Sequence, residues 1–179
     1  MLDHVKVMIS AEEIDAKLAE MGRAITADYA GKDLLMVGVL KGAFVVMADL
    51  ARHVELPVEF DFMAVSSYGA STKSSGVVRI LKDLDQEIAG RHVLIVEDII
   101  DSGLTLRYLM KSLQVRQPAS LELAALLVKD GVERPPTSIR YEGFHIPPEF
   151  VIGYGLDYAE KYRNLPYVGV VEGGLDALE

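Results

Sequence analysis

The feature that most constrains the fold of this chain is a series of short apolar runs with almost no polar alternation. The runs span Leu34–Leu40, His92–Val96 and Leu121–Val128. Runs of this kind are typical of strands that are covered on both faces. Apolar residues at helical spacing follow the first two runs, at Phe44, Met47, Ala48 and Ala51 and at Leu106, Leu109, Met110 and Leu113. This order predicts an α/β fold with a mostly parallel central sheet flanked by helices.

Further elements are predicted around these runs. Val5–Ile9 predicts a short strand, and Ser10 with Glu13 forms a capping-box pattern at the start of a helix. From Val58 to Phe62 apolar and acidic residues alternate, which predicts a half-buried strand with its apolar side chains inside. A mobile loop is predicted over residues 66–76, which are rich in Ser, Gly and Thr, and irregular structure over residues 130–148, which hold four prolines. Shorter strands are predicted at Val77–Leu81, Phe150–Gly153 and Tyr167–Val171.

Composition limits the function classes. The chain has 179 residues, which suits one domain, with no cysteine and with four histidines that lack metal-ligand spacing. A formal net charge of −9 argues against a nucleic-acid-binding protein and is compatible with an enzyme that handles anions through a divalent metal. The N-terminus lacks the apolar stretch of a signal peptide, and no apolar run is long enough to span a membrane. We therefore expect a cytoplasmic protein that binds neither nucleic acid nor membrane.

Residues 92–106 carry the chemistry, because an apolar strand there runs directly into two acids and a turn. The side chains of Glu97 and Asp98 are expected on opposite sides of the strand, where they can accept hydrogen bonds from hydroxyls or bear on a metal. The turn Asp101–Thr105 leads into a helix, whose free backbone N–H groups favour an anion. Gly103 allows the backbone to curl round that anion. The segment therefore fits a sugar phosphate, with its diol on the acids and its phosphate on the turn.

The turn by itself has a simpler interpretation, since Asp, Ser and Thr are ordinary N-cap residues. The complete string of apolar strand, Glu-Asp, Ile-Ile, Asp-Ser-Gly-Leu-Thr and helix favours a ligand site over simple capping. An ordinary P-loop nucleotidase is disfavoured, because the string lacks the GxxxxGK(S/T) pattern. Gly153–Gly155 is too short for a dinucleotide fingerprint.

The string VLIVEDIIDSGLTL, from Val93 to Leu106, resembles the signature that binds 5-phosphoribosyl 1-pyrophosphate (PRPP) in type I phosphoribosyltransferases. Its form is nearest to the hypoxanthine-guanine branch. The resemblance implies a purine-salvage enzyme that uses Mg²⁺ to transfer phosphoribosyl from PRPP to N9 of hypoxanthine or guanine, giving IMP or GMP and pyrophosphate. Other segments match in the order of the family, over roughly residues 37 to 171: Val39–Gly42, Ser67–Tyr68, Leu127–Lys129 and Phe150–Tyr158, followed by Arg163.

The resemblance also implies a role for each residue of the signature. Glu97 and Asp98 would bind the ribose hydroxyls, directly or through Mg²⁺. Asp101 would act at N7 of the purine, as the catalytic general base or as the electrostatic partner of the proton there. The 5-phosphate would lie on the turn formed by Asp101, Ser102, Gly103, Leu104 and Thr105.

Pyrophosphate is implied to lie on a loop formed by Leu40, Lys41 and Gly42, with a cis peptide bond between Leu40 and Lys41. Arg163 would clamp the same pyrophosphate, since a guanidinium fork matches phosphate geometry. Asp157 would hold a Mg²⁺ ion on the pyrophosphate side. The complete set of implied metal ligands is Glu97, Asp98 and Asp157.

The purine base is implied to lie against Lys129, Phe150, Val151 and Asp157. Lys129 can donate a hydrogen bond to a carbonyl oxygen but cannot accept one from an amino group, so it would favour a 6-oxopurine over a 6-aminopurine. Phe150 would stack on the base, and Val151 would offer only backbone groups. Taken singly, the four matched charges Lys41, Lys129, Asp157 and Arg163 are also compatible with surface positions, and Phe150 with the core.

For the architecture, the resemblance implies one domain over residues 1–179. A small hood lobe would be formed by about residues 1–10 and 145–179, and a mobile lid by about residues 66–76. Ser67 and Tyr68 would begin that lid and close over the site. The assembly implied is a homodimer or a homotetramer.

Three alternatives stay open on the sequence. A PRPP-sensing regulator would need a basic surface or an added DNA-binding segment, and the net charge of −9 does not favour one. A phosphoribosyltransferase for xanthine, adenine, orotate or uracil would differ in the base it accepts, and xanthine is the nearest competitor. A sugar-phosphate binding module would bind PRPP without turnover.

Overall fold

The structure of the protein is a computed structural model that describes residues 4–67, 78–131 and 138–173. Its elements alternate along the chain much as the sequence predicts. The order is β1 (Val5–Ile9), α1 (Ala11–Asp28), β2 (Leu34–Leu40), α2 (Phe44–Arg52), β3 (Glu59–Ser67), β4 (Val78–Lys82), β5 (His92–Ile100), α3 (Leu104–Gln114), β6 (Ser120–Lys129), β7 (Ile139–Ile146), β8 (Val151–Ile152) and β9 (Val168–Val171).

A central sheet of six strands in the order β4-β3-β2-β5-β6-β7 forms the body of the molecule. All neighbouring pairs are parallel except β3 with β4, which confirms the predicted mostly parallel sheet. Apolar clusters cover both faces: the helices α1 and α2 pack on one face and α3 on the other. The continuous apolar runs form strands β2, β5 and β6, which are buried on both faces of the sheet, as their composition predicts. The carboxyl ends of β2, β5 and β6 therefore lie side by side at one edge.

A second, antiparallel sheet has the order β1-β9-β8 and joins residues from near both ends of the chain. Val5 pairs with Val171, and Val151 pairs with Val170. Ile9, Val151 and Val168 are buried in the same cluster as α1 and α2, so this small sheet packs on the main core. It fixes the chain segment that follows β8.

The start of α1 confirms the predicted capping box. The Ser10 side chain accepts a hydrogen bond from the backbone of Glu13, and the Glu13 carboxylate accepts one from the backbone of Ser10. Ser10 is extended, as an N-cap residue should be. This local signal was readable from two residues alone.

The predicted burial pattern of β3 is wrong at Phe60 and Asp61, whereas Phe62 is partly buried and packs against the core. Phe60 is 42% exposed, whereas Asp61 is 5% exposed and Met63 is fully buried. The Asp61 carboxylate is tolerated inside because it accepts hydrogen bonds from the backbone N–H groups of Phe62, Asp85 and Gln86, at 2.7, 2.8 and 3.2 Å. Alternation alone could not reveal these partners, since two of them come from a distant loop.

Several boundaries also differ from the prediction. Strand β5 runs on to Ile100 instead of ending at Val96, so the two acids that follow Val96 lie within the strand. Helix α3 ends at Gln114, short of Pro118. Strand β7 occupies residues 139–146 of the region predicted to be irregular, and Pro147 follows its end instead of interrupting it. Strand β3 includes Ser66 and Ser67, which were predicted to be loop, while Tyr68 and residues 69–76 of the predicted lid, with Val77, lie outside the described residues.

Among the residues that the structure describes, no helix is both long enough and apolar enough to cross a membrane.

Candidate active site

The turn between β5 and α3 encloses a cavity at the carboxyl edge of the sheet. The cavity is about 160 Å³ and is lined by Glu97, by Ile99–Gly103, and by Thr105 and Leu106. Gly103 is the N-cap of α3 and has a φ of 69°, the left-handed conformation that glycine adopts without strain. No side chain makes a capping hydrogen bond at Gly103. Simple side-chain capping, the plainer interpretation of the turn, therefore does not describe this segment.

The predicted residues of the turn differ in how they meet this cavity. Ser102 and Thr105 line it with hydroxyl-bearing side chains, as the sequence suggested. Leu104 does not line it, and its side chain is 48% exposed. Only the backbone of Leu104 is then available to a ligand in the turn.

The two adjacent acids of β5 face different surroundings, as expected for neighbouring residues of a strand. Glu97 lines the turn cavity. Asp98 lies against the loop after β2, where a Cβ added at Gly42 would come 1.8 Å from Oδ2 of Asp98. Only a residue without a side chain can occupy position 42 in this arrangement.

Both acids have raised pKa values. Burial raises the pKa of Glu97 well above its usual range, and the negative charge of Asp98 raises it further. Burial also raises the pKa of Asp98, to about 6, although the backbone N–H of Ile99 and the guanidinium of Arg163 favour its charged form. Asp157 acts on Asp98 in the opposite direction, through like-charge repulsion. Asp98 thus shares its electrostatic surroundings with two residues from the late part of the chain.

The loop after β2 is packed tightly between β5 and the late segment. The peptide bond between Leu40 and Lys41 is cis, as the resemblance implied. A Cβ added at Gly155 would come 2.1 Å from the carbonyl oxygen of Gly42, and Gly155 itself has a φ of 96°. Segments around residues 42, 98 and 155 therefore meet at one point, and two of the three are glycines because no side chain would fit.

The late segment folds back on itself and carries Arg163 to this point. The backbone N–H of Gly155 donates to the carbonyl oxygen of Arg163 at 2.9 Å. The Arg163 guanidinium donates to the carbonyl oxygen of Gly155 at 2.7 Å and forms an ion pair with Asp157 at 2.9 Å. Nε of Arg163 is buried and has no hydrogen-bond partner among the described residues.

Two contacts in this region have no counterpart in the sequence-based predictions. The Lys41 ammonium pairs with Glu160 at 2.7 Å. The Tyr154 hydroxyl donates to Asp49 of α2 at 2.5 Å and ties the late segment to the helix that follows the Lys41 loop. Neither Glu160 nor Asp49 has a local sequence signal, because each partner lies more than 100 positions away along the chain.

Lys129 ends β6 and reaches across to the turn after β5. Its ammonium forms an ion pair with the Asp101 carboxylate at 2.8 Å. The Lys129 side chain is 14% exposed, whereas that of Asp101 is 61% exposed. The adjacent strands β5 and β6 bring these two residues together from positions 28 apart. The lysine that ends β6 and the acid of the turn thus meet directly.

The Phe150 ring is 44% exposed, so the alternative of a core phenylalanine is not what the structure shows. It lies edge-to-face with Tyr158, with 6.1 Å between ring centres. Val151 is buried in the small sheet and pairs with Val170, which leaves its side chain no access to a ligand. An exposed aromatic face would suit a flat ligand.

Some predicted site residues are not brought together. Asp98 and Asp157 act on one another, but Glu97 lies on the other side of β5. No cluster of three or more metal-ligating side chains is found within residues 4–67, 78–131 and 138–173. The two lid residues cannot be placed at the site, since the side chain of Ser67 and all of Tyr68 lie outside the described part of the chain.

These features define an α/β enzyme that handles an anionic sugar at the carboxyl edge of a parallel sheet. Residues 10–159 match the family model described as a phosphoribosyl transferase domain. The chain belongs to the phosphoribosyltransferase family. It is 53% identical over 176 residues to the hypoxanthine-guanine phosphoribosyltransferase of Mycobacterium avium, covering 95% of this chain and 87% of that one.

Two further relatives give the same picture. The hypoxanthine-guanine phosphoribosyltransferase of Bacillus subtilis is 51% identical over 170 residues, which are 95% of this chain and 94% of that one. The crystal structure of a hypoxanthine phosphoribosyltransferase from Staphylococcus aureus superimposes with a TM-score of 0.89 at 44% identity, covering 93% and 91% of the two chains. The type I phosphoribosyltransferase fold expected from the sequence is thus confirmed.

Proposed function

We propose that this chain is a purine-salvage enzyme that transfers the phosphoribosyl group of PRPP to N9 of hypoxanthine or guanine. The products are IMP or GMP and pyrophosphate. The observation that carries the proposal is the contact between Asp101 and Lys129, at 2.8 Å. The contact supports the proposal because it joins the turn that would bind the 5-phosphate to the lysine that would donate to a 6-oxopurine, and the sugar and the base must meet in the reaction.

The β5–α3 turn would hold the 5-phosphate of the substrate. Its anion would meet the free backbone N–H groups at the start of α3 and the hydroxyls of Ser102 and Thr105. Glu97 lines the same cavity and would accept a hydrogen bond from a ribose hydroxyl. The ribose would then lie between the turn and the base.

We assign to Asp101 the role of accepting the proton from N7 of the purine. In the unliganded protein the Asp101 carboxylate is held by Lys129. When the base binds, Lys129 would donate to the 6-oxo group instead, and the Asp101 carboxylate would be released to accept the N7 proton as N9 attacks C1′. The negative charge of Asp101 would also favour the positive charge that develops on the reacting groups.

Departing pyrophosphate would be bound by the Lys41 loop and Arg163. The Lys41 side chain is two-thirds exposed, so its ammonium is accessible to an anion. The buried Nε of Arg163 lacks a partner among the described residues, as expected of a guanidinium whose ligand is an added phosphate group. The packing at Gly42 and Gly155 would fix both cations relative to Asp98.

The residues present fit Mg²⁺, which we propose as the cofactor. Asp98 and Asp157 offer carboxylate oxygens; the negative charge of Asp157 raises the pKa of Asp98, and a hard cation would relieve that repulsion. Mg²⁺ commonly binds through one or two carboxylates plus substrate phosphates, so a cage of three protein ligands is not required. When bound, the ion would neutralise charge on the leaving pyrophosphate.

The base would lie between Phe150 and Lys129. Lys129 cannot accept a hydrogen bond, so a 6-aminopurine would leave it unpaired in a site where it is only 14% exposed. Phe150 presents an exposed ring for stacking, and the backbone of Val151 follows it. This selects a 6-oxopurine over adenine.

The wider organisation of the enzyme is also part of the proposal. The small sheet β1-β9-β8 would serve as the hood, and residues from about 66 to 76 as a lid that excludes water during transfer. We propose that the enzyme works in the cytoplasm as a homodimer or homotetramer, with PRPP, the purine, pyrophosphate and the nucleotide as its ligands.

The test is product formation with PRPP and Mg²⁺, with hypoxanthine, guanine, xanthine, adenine and uracil offered in parallel. The proposal expects nucleotide from hypoxanthine or guanine and none from adenine. Turnover of adenine or uracil alone would contradict the role given to Lys129. Tight PRPP binding without turnover of any base would instead support a PRPP-sensing regulator or a binding module.

A further inference from the structure

Glu160 links the two cations of the proposed pyrophosphate site. One oxygen of its carboxylate lies 2.7 Å from the Lys41 ammonium, and the other lies 3.5 Å from the Arg163 guanidinium. Lys41 and Arg163 come from distant parts of the chain, and the contact of Glu160 with Lys41 spans 119 positions in sequence. A single carboxylate therefore occupies the position between two groups that are arranged to receive an anion.

The backbone at Glu160 is held in an unusual conformation. Tyr158 and Lys161 exchange two backbone hydrogen bonds, at 3.1 and 3.0 Å, and enclose a two-residue turn. The turn residues Ala159 and Glu160 both have positive φ, at 49° and 64°, which residues that carry a Cβ rarely adopt. Turns with positive φ at both central residues strongly prefer Asn-Gly or Gly-Gly, yet this chain has Ala-Glu.

Asp157 fixes this turn from within the site. Its carboxylate accepts a hydrogen bond from the backbone N–H of Glu160 at 2.9 Å while it pairs with Arg163 at 2.9 Å. The Glu160 carboxylate is consequently presented to Lys41 by a rigid support and not by a free loop. Backbone outliers of this kind persist where the surrounding structure fixes them, and they cluster at functional sites.

The ion pair between Lys41 and Glu160 is exposed, with two-thirds of each side chain accessible. Pairs this exposed shift an equilibrium by only about two- to fivefold. A pair of that strength holds the lysine in place but yields to an anion with more charge. Pyrophosphate carries several negative charges and can contact both cations at once, so it can displace one carboxylate.

We propose that Glu160 is an internal anion that occupies the pyrophosphate site in the unliganded enzyme and competes with pyrophosphate for Lys41 and Arg163. This inference rests on the proposed function. During turnover, Glu160 lowers the affinity for the product pyrophosphate, because its carboxylate returns to the two cations as pyrophosphate leaves. Glu160 thereby sets the affinity for pyrophosphate without touching the reacting atoms.

A different role for the same contact would be to orient Lys41 for pyrophosphate binding. The two roles predict opposite signs. If Glu160 competes, removing its charge tightens pyrophosphate binding; if it only orients Lys41, removing its charge weakens binding. A purely structural role predicts no change in affinity in a folded protein.

The experiment is the substitution Glu160→Gln, which keeps the shape and removes the charge. Dissociation constants for magnesium pyrophosphate are measured by calorimetry, together with the KM for pyrophosphate in the reverse reaction from IMP. We expect both to fall about two- to fivefold, with stronger product inhibition in the forward reaction. The gain should shrink as salt is added, because exposed charges are screened.

Two comparisons make the result specific. Glu20→Gln removes a carboxylate of the same 65% side-chain exposure, which also pairs with a lysine, on α1, and it should leave pyrophosphate binding unchanged. In a Lys41→Met background, Glu160→Gln should have a smaller effect than in the wild type. Equal or weaker pyrophosphate binding by Glu160→Gln, in protein with unchanged thermal unfolding, would overturn the inference. Failure of the proposed function would appear separately, as wild-type protein that forms no nucleotide from PRPP and a purine.

Discussion

The turn after β5 and the segment from Gly153 to Arg163 are both proposed to bind anions, yet they are built in opposite ways. The turn is one continuous stretch in which the strand, the left-handed Gly103 and the helix start follow one another. The second site, called here the late site, is assembled from three separate parts of the chain, around residues 42, 98 and 155. They meet where Gly42 and Gly155 leave no room for a side chain.

The difference shows where each site gets its specificity. The β5–α3 turn uses backbone N–H groups and hydroxyls, so its geometry is set by local conformation. The late site uses charged side chains, and each of these cations is already paired in the unliganded protein: Lys41 with Glu160, and Arg163 with Asp157. We therefore propose that a ligand enters the first site as an addition and the second by exchange with protein carboxylates.

The largest effect is expected from Asp101→Asn, which changes the turn at the point where it meets Lys129. The substitution removes both the proton acceptor and the negative charge while leaving the shape intact. We expect kcat to fall by about 10²- to 10⁴-fold. Thermal unfolding should change little, because the Asp101 side chain is 61% exposed. A variant with wild-type kcat would show that Asp101 has no part in the proton transfer.

The next effect is expected from Gly42→Ala, which tests the packing of the assembled site. The added methyl group would come 1.8 Å from Oδ2 of Asp98, so the loop or the acid must move. Displacement of a positioned group by about 1 Å can cost about 100-fold, and we expect a loss of that size in kcat/KM for PRPP. Steady-state kinetics with saturating hypoxanthine measure it. Unchanged kinetics would mean that this packing does not position Asp98 or Lys41.

The smallest effect is expected from Ala159→Gly, which tests the turn that presents Glu160. Glycine relieves the positive φ at position 159, and we expect the free energy of unfolding to rise by up to about 1 kcal/mol. Denaturant titration measures this change. A destabilised variant would show that the turn is not strained at Ala159.

The predictability of the two regions follows from the same contrast. The β5–α3 site could be foreseen because strand, acids, turn and helix are adjacent in sequence, and each has a local signal. Its one clear error is the strand end: the prediction ends the strand at Val96, since nothing in the sequence shows that Glu97, Ile99 and Ile100 continue the pairing with β6.

The late site could be foreseen only through the family resemblance. Arg163 and Asp157 have no local pattern that distinguishes them from surface charges. Glu160 was missed because a turn of Ala and Glu with positive φ contradicts the usual turn preferences. In β3, alternation put Asp61 outside, whereas three backbone donors from two segments hold it inside. Sequence patterns reflect interactions between residues that are close in the chain, whereas these sites depend on partners that are distant in the chain.

The most direct test of the central claim is to bind the two halves of the substrate separately. Ribose 5-phosphate and magnesium pyrophosphate are titrated into wild type, Thr105→Val and Lys41→Met. The account predicts that Thr105→Val weakens ribose 5-phosphate about tenfold and leaves pyrophosphate unchanged, while Lys41→Met does the reverse. Equal weakening of both ligands by either variant would contradict two separately built anion sites.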